Sequence, residues 1–222
     1  MAEVYHWQNS RDDAVLQRTA RVLAAGGVVA CPTETFYALA VDAGNQEALD
    51  RLMALKRRPR TKPVLVLVAH KGMVSAVAAA IPPLAERLMT AFWPGPLTLI
   101  LPARSALPPP LTAGTGSIGV RQPNSRLTRR LLEIFGRPLT GTSANLSGQE
   151  PFLEAHKVQQ ALGAEVDVIL ANAPCPGGLP STIISLLEDP PRLVRAGALP
   201  VATLQQELAG IVLAEAERRS DG

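Results

Sequence analysis

Short apolar runs that end at prolines constrain the fold of this sequence more than any other feature. Residues 28–31 end at Pro32, residues 64–69 follow Pro63, and residues 97–101 lie between two prolines. Proline fixes φ and offers no backbone N–H donor, so runs bounded in this way are typical of short buried strands. Further strands are predicted at 118–121, 139–141, 166–171, 182–187 and 193–195.

Segments with helical periodicity alternate with the predicted strands. Ser10 is the expected N-cap of a first helix that Gly26 and Gly27 end, and Asn45 is the expected N-cap of a second. Further helices are predicted at 84–91, 125–135, 154–162 and 203–208. This alternation predicts an α/β fold with helices covering a sheet. No repeat or linker interrupts it. We therefore expect a single domain over residues 1–222, with its core at about 10–210 and a frayed tail at 211–222.

Composition and charge exclude several classes of protein. The chain has 22 Lys and Arg against 19 Asp and Glu, and a net charge of +3 excludes a histone-like coat of positive charge. The longest wholly apolar runs, such as residues 64–69, are far shorter than a membrane span. The first residues show no secretory signal, and two cysteines cannot build a disulfide framework or a four-ligand zinc site. We expect a globular cytoplasmic protein without a membrane partner.

Polar side chains follow the first predicted strand directly. Residues 32–37, with the sequence PTETFY, place Thr33, Glu34 and Thr35 at its carboxyl end. Open α/β sheets form their ligand crevices at this end of the strands. A simple helix cap formed by one of the two threonines is the alternative interpretation.

A basic segment separates the second predicted helix from the next strand. Five cations lie within the seven positions from Lys56 to Lys62, and Pro59 and Pro63 stiffen the loop. Arginine forks and a lysine point charge suit a polyphosphate, although a solvated surface is the common reading of such a charge run.

Two further segments resemble known motifs, but one differs from its motif in sequence and the other in structural context. Residues 141–145, GTSAN, nearly match the G-x-S-x-G nucleophile elbow, but Asn145 replaces the last glycine and no histidine base stands in a recognisable arrangement. We reject a hydrolase and expect small donors for phosphate or ribose oxygens. The G-x-G-x-x-G at 114–119 lacks the preceding strand and following helix of a dinucleotide site, so we expect a loop.

Taken in order, seven segments of the chain resemble the YrdC-like family over about residues 10–210. They are PTETFYALA at 32–40, KRRPRTKP at 56–63, WPGPLT at 93–98, GVRQP at 119–123, TSANLSG at 142–148, PSTI at 180–183 and RAG at 195–197. The resemblance implies a single α/β domain in which a twisted, mixed but largely parallel sheet with helices surrounds a positively charged cavity.

The same resemblance implies a nucleotidyltransferase reaction. L-Threonine, bicarbonate and ATP would give L-threonylcarbamoyl-AMP and pyrophosphate, for the threonylcarbamoylation of adenosine 37 in tRNA. Mg²⁺ would arrive with ATP, because the sequence shows no cluster of metal ligands. The expected partners are the downstream proteins that transfer the threonylcarbamoyl group, and tRNA or double-stranded RNA itself.

The resemblance also implies a set of site residues, which fall into three overlapping groups. The expected catalytic residues are Lys56, Arg58, Ser143 and Asn145; the expected ATP contacts are Arg58, Lys62, Ser143 and Arg195; the expected threonine contacts are Thr35, Arg121 and Ser181. No protein residue is expected to ligate a metal.

The chain departs from the family pattern in places. It has Tyr-Ala-Leu-Ala at 37–40 where Tyr-Gly-Leu-Gly is common, and Leu67 where some members have histidine. The extra C-terminal domain of fused members is not expected in 222 residues. Two alternatives stay open: a non-catalytic module that binds double-stranded RNA or tRNA, and a family paralogue with another acceptor.

Overall fold

The proline-bounded runs form inner strands of two β-sheets in the computed structural model, which describes residues 1–146, 149–208 and 214–215. The five-stranded sheet has the order β1 (Glu3–His6), β9 (Val168–Ala171), β2 (Val29–Pro32), β3 (Tyr37–Ala40), β8 (Thr142–Ser143). The seven-stranded sheet has the order β12 (Ala214–Glu215), β11 (Arg192–Arg195), β10 (Thr182–Ser185), β5 (Leu97–Pro102), β6 (Ser117–Arg121), β4 (Val66–Leu67), β7 (Leu139–Thr140).

Helices pack around both sheets, which confirms the predicted α/β class. They are α1 (Asp13–Ala24), α2 (Gln46–Lys56), α3 (Pro83–Phe92), α4 (Pro109–Thr112), α5 (Arg126–Phe135), α6 (Ala155–Leu162) and α7 (Val201–Leu208), with 3₁₀ turns at Ser10–Asp12 and Lys71–Ala76. Asn45 caps α2 as predicted, because its side chain accepts the Ala48 N–H. The Ser10 cap is wrong: Asn9 caps the 3₁₀ turn ahead of α1, in a capping box with Asp12.

The sheets are mixed, but they are not largely parallel. Among the described strands, five pairings are parallel and five are antiparallel. The expected excess of parallel pairing is therefore wrong. The reason lies in the short connections. Only residues 33–36 join β2 to β3, and a parallel pair would need a crossover of a dozen residues or more.

The core consists mainly of leucine, valine and alanine, because aromatic residues make up only 4% of the chain. Leu97, Leu99 and Leu101 of β5 point into the largest buried cluster. The residues between them, Thr98 and Ile100, face the other side of the strand, where a cavity lies.

Between β7 and β8 the chain passes from one sheet to the other within a single residue, Gly141. β7 pairs with β4 in the seven-stranded sheet, whereas β8 pairs with β3 in the five-stranded sheet. The Gly141 N–H donates to Leu65 O at 2.8 Å. A Cβ at Gly141 would lie 2.5 Å from Leu67 Cγ, so glycine allows the close approach on which this crossing depends.

Two strands, one near each end of the chain, lie outside the predicted core of about residues 10–210. β1 precedes residue 10 and pairs with β9, so the five-stranded sheet includes residues ahead of that core. Of the predicted frayed tail at 211–222, Ala214–Glu215 pairs with β11 as β12, and the rest lies outside the described residues. Across the described ranges, none of the helices has the length and apolar character needed to cross a bilayer.

Candidate active site in an arginine-lined cavity

A cavity of about 300 Å³ lies where strands of both sheets and their connecting loops meet. Three arginines and many hydroxyls line it. The arginines are Arg58, Arg121 and Arg195, and the hydroxyl residues are Thr33, Thr35, Tyr37, Thr98, Ser117, Thr142, Ser143 and Ser181. This combination of cations and small donors suits an anionic, oxygen-rich ligand.

Most of the residues implied by the resemblance meet in this cavity. The residues that line it are Thr35, Arg58, Arg121, Ser143, Ser181 and Arg195. The residues outside its lining are Lys56, Lys62 and Asn145. Lys62 is exposed on the basic loop, and the other two lie behind the cavity wall. The structure therefore brings the arginines together but separates them from the two lysines.

Lys56, the last residue of α2, is only 2% exposed and donates all three ammonium hydrogens within the protein. Its Nζ donates to Ser143 O, to Asn145 O at 2.8 Å and to Asn145 Oδ1 at 3.0 Å. An ammonium group has only three donors, so none remains for a phosphate oxygen. The resemblance implies a catalytic role for Lys56, but in this geometry its ammonium group cannot neutralise phosphate charge by direct contact. Lys56 instead holds the loop that carries Ser143.

The end of α2 explains why two cations two residues apart point in different directions. Arg57 has a φ of 50°, in the left-handed region, and its N–H closes the helix on Ala54 O at 3.0 Å. The chain therefore reverses between Lys56 and Arg58. The lysine packs into the protein, and the arginine lines the cavity.

The Ser143 loop is further fixed by its own side chains. Ser143 Oγ donates to Asn145 Oδ1 at 2.6 Å, and Asn145 Nδ2 donates to Gln149 O at 2.5 Å. With Lys56 on the opposite side, Asn145 acts within this network and does not face the cavity. All three histidines of the chain are exposed and none lines the cavity, so Ser143 has no imidazole base beside it.

Burial and the positive charge of Arg58 lower the pKa of the Lys56 ammonium to about 8 from its ordinary value of 10.5. Between these two pH values the unfolded chain binds a proton that the folded protein has released. We therefore predict that the wild type becomes more stable relative to a Lys56→Met variant as the pH rises from 8 to 10.5, by up to about 3 kcal/mol. Urea unfolding of both proteins at a series of pH values measures this difference. A difference that stays constant with pH contradicts the prediction.

Arg58 and Arg195 are held by neutral carbonyl oxygens. Arg58 Nη2 donates to Pro63 O at 2.9 Å, and Arg195 donates to Ser181 O through Nε at 3.0 Å and Nη2 at 2.8 Å. Burial lowers the pKa of both guanidinium groups, and the charge of Arg121 adds to this effect on Arg195. Both remain cationic at neutral pH because the ordinary arginine value is so high. Carbonyl partners orient them without cancelling their charge.

Arg121, at the end of β6, is paired differently. It is 4% exposed, and its Nη1 lies 3.2 Å from Glu34 Oε1, while Glu34 Oε2 accepts the Asn124 N–H at 3.0 Å. Burial lowers the pKa of Arg121, and the Glu34 carboxylate opposes this shift. Arg121 Nε has no hydrogen-bond partner in the described part of the chain.

Two features of the site were missed in the sequence. Thr98 and Ser117 line the cavity; the signal at Thr98 was a hydroxyl placed between Leu97 and Leu99 on an otherwise apolar strand, and Ser117 carries no such signal. The glycine of the RAG segment also has a packing reason. A Cβ at Gly197 would lie 2.2 Å from Pro180 O, so only glycine lets the chain after Arg195 lie against the Pro180–Ser181 backbone.

The donor set fits an anion better than a bound metal. No group of three His, Cys, Asp or Glu side chains that could hold a metal ion occurs in residues 1–146 and 149–208. Glu34 already pairs with Arg121. A divalent ion at this site would therefore have to be held by the oxygens of a bound phosphate ligand.

Comparisons with known proteins agree with this geometry. A family model for Sua5, YciO and YrdC, described as "Telomere recombination", matches residues 21–197. Threonylcarbamoyl-AMP synthases of Pyrococcus abyssi and Bacillus subtilis are both 36% identical to this chain, over 84% and 86% of it, and the chain spans 55% of the length of each. The crystal structure of P. abyssi Sua5 complexed with L-threonine matches with a TM-score of 0.90 and 31% identity, covering 96% of this chain and 62% of that one. The chain belongs to the Sua5/YciO/YrdC family.

Proposed function

We propose that this protein forms L-threonylcarbamoyl-AMP and pyrophosphate from L-threonine, bicarbonate and ATP. The observation that carries the proposal is the convergence of Arg58, Arg121 and Arg195 in one hydroxyl-lined cavity. Among the described residues no carboxylate pairs with Arg58 or Arg195, whose partners are carbonyl oxygens, and Arg121 Nε has no hydrogen-bond partner. The names of the relatives and the threonine bound to P. abyssi Sua5 support the same assignment.

Each group of cavity residues takes a part in this reaction. Arg121, with Thr35 and Ser181, binds the carboxylate and hydroxyl of threonine. Arg58, Arg195 and Ser143 bind the triphosphate of ATP, and Lys62 approaches it from the exposed loop beside Pro63, which lines the cavity. Lys56 and Asn145 act on the substrates indirectly, because they hold the loop on which Ser143 lies.

The chemistry needs positioning more than a protein nucleophile. The amine of threonine and bicarbonate give a carbamate and water. A carbamate oxygen then bonds to the α-phosphorus of ATP while the bond to the bridging oxygen breaks, and pyrophosphate leaves with that electron pair. Arg58 and Arg195 stabilise the charge that grows on the leaving group. Mg²⁺ that arrives with ATP would supply further charge neutralisation.

The product is a mixed anhydride that water hydrolyses readily, so the enclosing walls of the cavity have a protective role. We further propose that proteins which transfer the threonylcarbamoyl group to tRNA consume this product in the cytoplasm.

Replacing Arg58 tests the proposed role of the cavity. We expect Arg58→Ala to lower kcat/KM for ATP roughly 30- to 1,000-fold, because it removes a cation that contacts the leaving phosphates. Its melting temperature should change little, since the side chain bonds only to two loop carbonyls. Pyrophosphate release with threonine, bicarbonate, ATP and Mg²⁺ gives the rate.

Arg60→Ala is the matched control, because Arg60 lies in the same loop but pairs with Asp50 on the surface. An equal loss in both variants would show that general basic charge matters and not the cavity. The proposal fails if the wild type releases no pyrophosphate with all substrates present. A chain that binds RNA but gains no thermal stability from ATP would be a binding module. A synthase at 100 times its Kd for ATP gains about 2.7 kcal/mol.

A further inference from the structure

Arg195 owes its orientation to a single neighbour. Its Nε and Nη2 both donate to Ser181 O, and Nη2 also lies 3.2 Å from Ser181 Oγ. Arginine is only a donor, so the Ser181 hydroxyl must accept this hydrogen bond. No carboxylate pairs with Arg195 among the described residues. The position of Ser181 therefore decides where the guanidinium points.

Ser181 is in turn held by Thr98, a residue to which neither the sequence motifs nor the proposed reaction gives a role. Thr98 Oγ1 lies 2.8 Å from Ser181 Oγ, and both residues are 3% exposed. Thr98 makes no other side-chain hydrogen bond within the described chain. Either hydroxyl can donate in this pair, and because Arg195 donates to Ser181 Oγ, each arrangement leaves one hydroxyl proton without a protein acceptor.

The pair has a consequence for the cavity. Ser181 Oγ is held on one side by Thr98 and on the other by Arg195. The one hydroxyl proton that the pair does not use remains for an oxygen of a ligand in the cavity, which both residues line.

The fold fixes the Thr98 side chain in the required rotamer. β5 pairs in parallel with β10, and this pairing sets Thr98 opposite Ile183, two residues after Ser181. A Cβ built at Gly119 of β6 would be in ordinary contact, 3.5 Å, with the Thr98 methyl group. The methyl group thus faces β6 and the hydroxyl faces Ser181. A β-branched side chain is stiff at χ1, so this packing holds the hydroxyl in place.

We propose that Thr98 is a positioning residue that holds the Ser181 hydroxyl by a hydrogen bond and through it aligns Arg195 in the cavity. This inference rests on the proposed function, in which Arg195 contacts ATP and Ser181 contacts threonine. It goes beyond that function by adding a residue that acts through Ser181. The isosteric Thr98→Val change keeps the packing and removes only the hydroxyl.

Steady-state kinetics of pyrophosphate release, with ATP and threonine varied in turn, provide the first test. For Thr98→Val we expect KM for ATP to rise about tenfold and KM for threonine about threefold, with kcat changed less than threefold. Thr98→Ser restores the hydroxyl and should return both KM values to within about threefold of the wild type. Thr19→Val is the matched control: Thr19 is also fully buried, but it bonds to Val15 O within α1, and we expect its KM values to be unchanged.

Crystal structures of the wild type and Thr98→Val provide a second test that does not depend on activity. We expect the Arg195 guanidinium to leave Ser181 Oγ in the variant. The proposal is overturned if Arg195 keeps its position, if Thr98→Val keeps wild-type KM values, or if Thr19→Val shows the same rise. If the wild type releases no pyrophosphate, the proposed function fails, and the position of Arg195 in the two crystal structures still decides the role of Thr98.

Discussion

Lys56→Met should lose about 100-fold or more in the rate of pyrophosphate release and, at pH 7, on the order of 3 kcal/mol in the free energy of unfolding. The ammonium donates to Ser143 O, Asn145 O and Asn145 Oδ1, and methionine of similar length leaves these buried oxygens without that donor. The loop that carries Ser143 then loses its anchor. A misplacement of about 1 Å at a reacting group can cost 100-fold in rate. Urea unfolding and pyrophosphate release measure the two losses.

Lys157→Met is the matched control, because Lys157 is exposed on α6 and the same change there removes charge without a buried partner. Activity must be compared at a temperature at which circular dichroism shows the Lys56 variant folded. A folded variant that keeps wild-type activity would contradict the anchoring role, and so would wild-type stability at pH 7.

Arg121→Leu should raise KM for threonine about 100-fold or more and lower the free energy of unfolding by about 3 kcal/mol. The change removes the cation that the threonine carboxylate is proposed to meet, and it leaves the mostly buried Glu34 carboxylate without its ion-pair partner. Urea unfolding gives the stability, and threonine-dependent pyrophosphate release gives KM.

A second variant separates the two effects. Glu34→Gln combined with Arg121→Leu removes the unpaired charge, so we expect it to recover part of the stability and none of the threonine affinity. Arg121→Lys keeps a charge but loses the planar fork, and we expect it to remain impaired. Recovery of threonine affinity in the double variant, or wild-type behaviour of Arg121→Lys, would rule out a carboxylate contact at Arg121.

Sequence patterns predicted elements that carry strong local signals. Prolines bounded β2 and β5, and Asn45 capped α2 as expected. β1 and β3 were missed because no proline bounds either strand, so neither carries the local signal that marks β2 and β5. The even mixture of strand directions was missed because pairing depends on how connections fold back, which propensity does not encode.

The candidate site, like the fold, was predicted only in part. The resemblance implied roles for Arg58, Arg121 and Arg195, and the structure brings these three residues to one cavity. The inward direction of Lys56 depends on a left-handed turn at Arg57, and a sequence does not show which of two neighbouring cations such a turn will bury. Thr98 was missed because its partner, Ser181, is 83 residues away, and only the pairing of β5 with β10 brings the two hydroxyls together.

The crossing at Gly141 sets a limit on how this protein can vary. Only Gly141 separates β7, at one edge of the seven-stranded sheet, from β8, which ends at Ser143. The side chain of Leu67 packs against Gly141. A movement of one sheet relative to the other would therefore also move Ser143. The fold therefore fixes the width of the cavity beside Ser143. To make the cavity accept a bulkier substrate, substitutions on its other walls are needed.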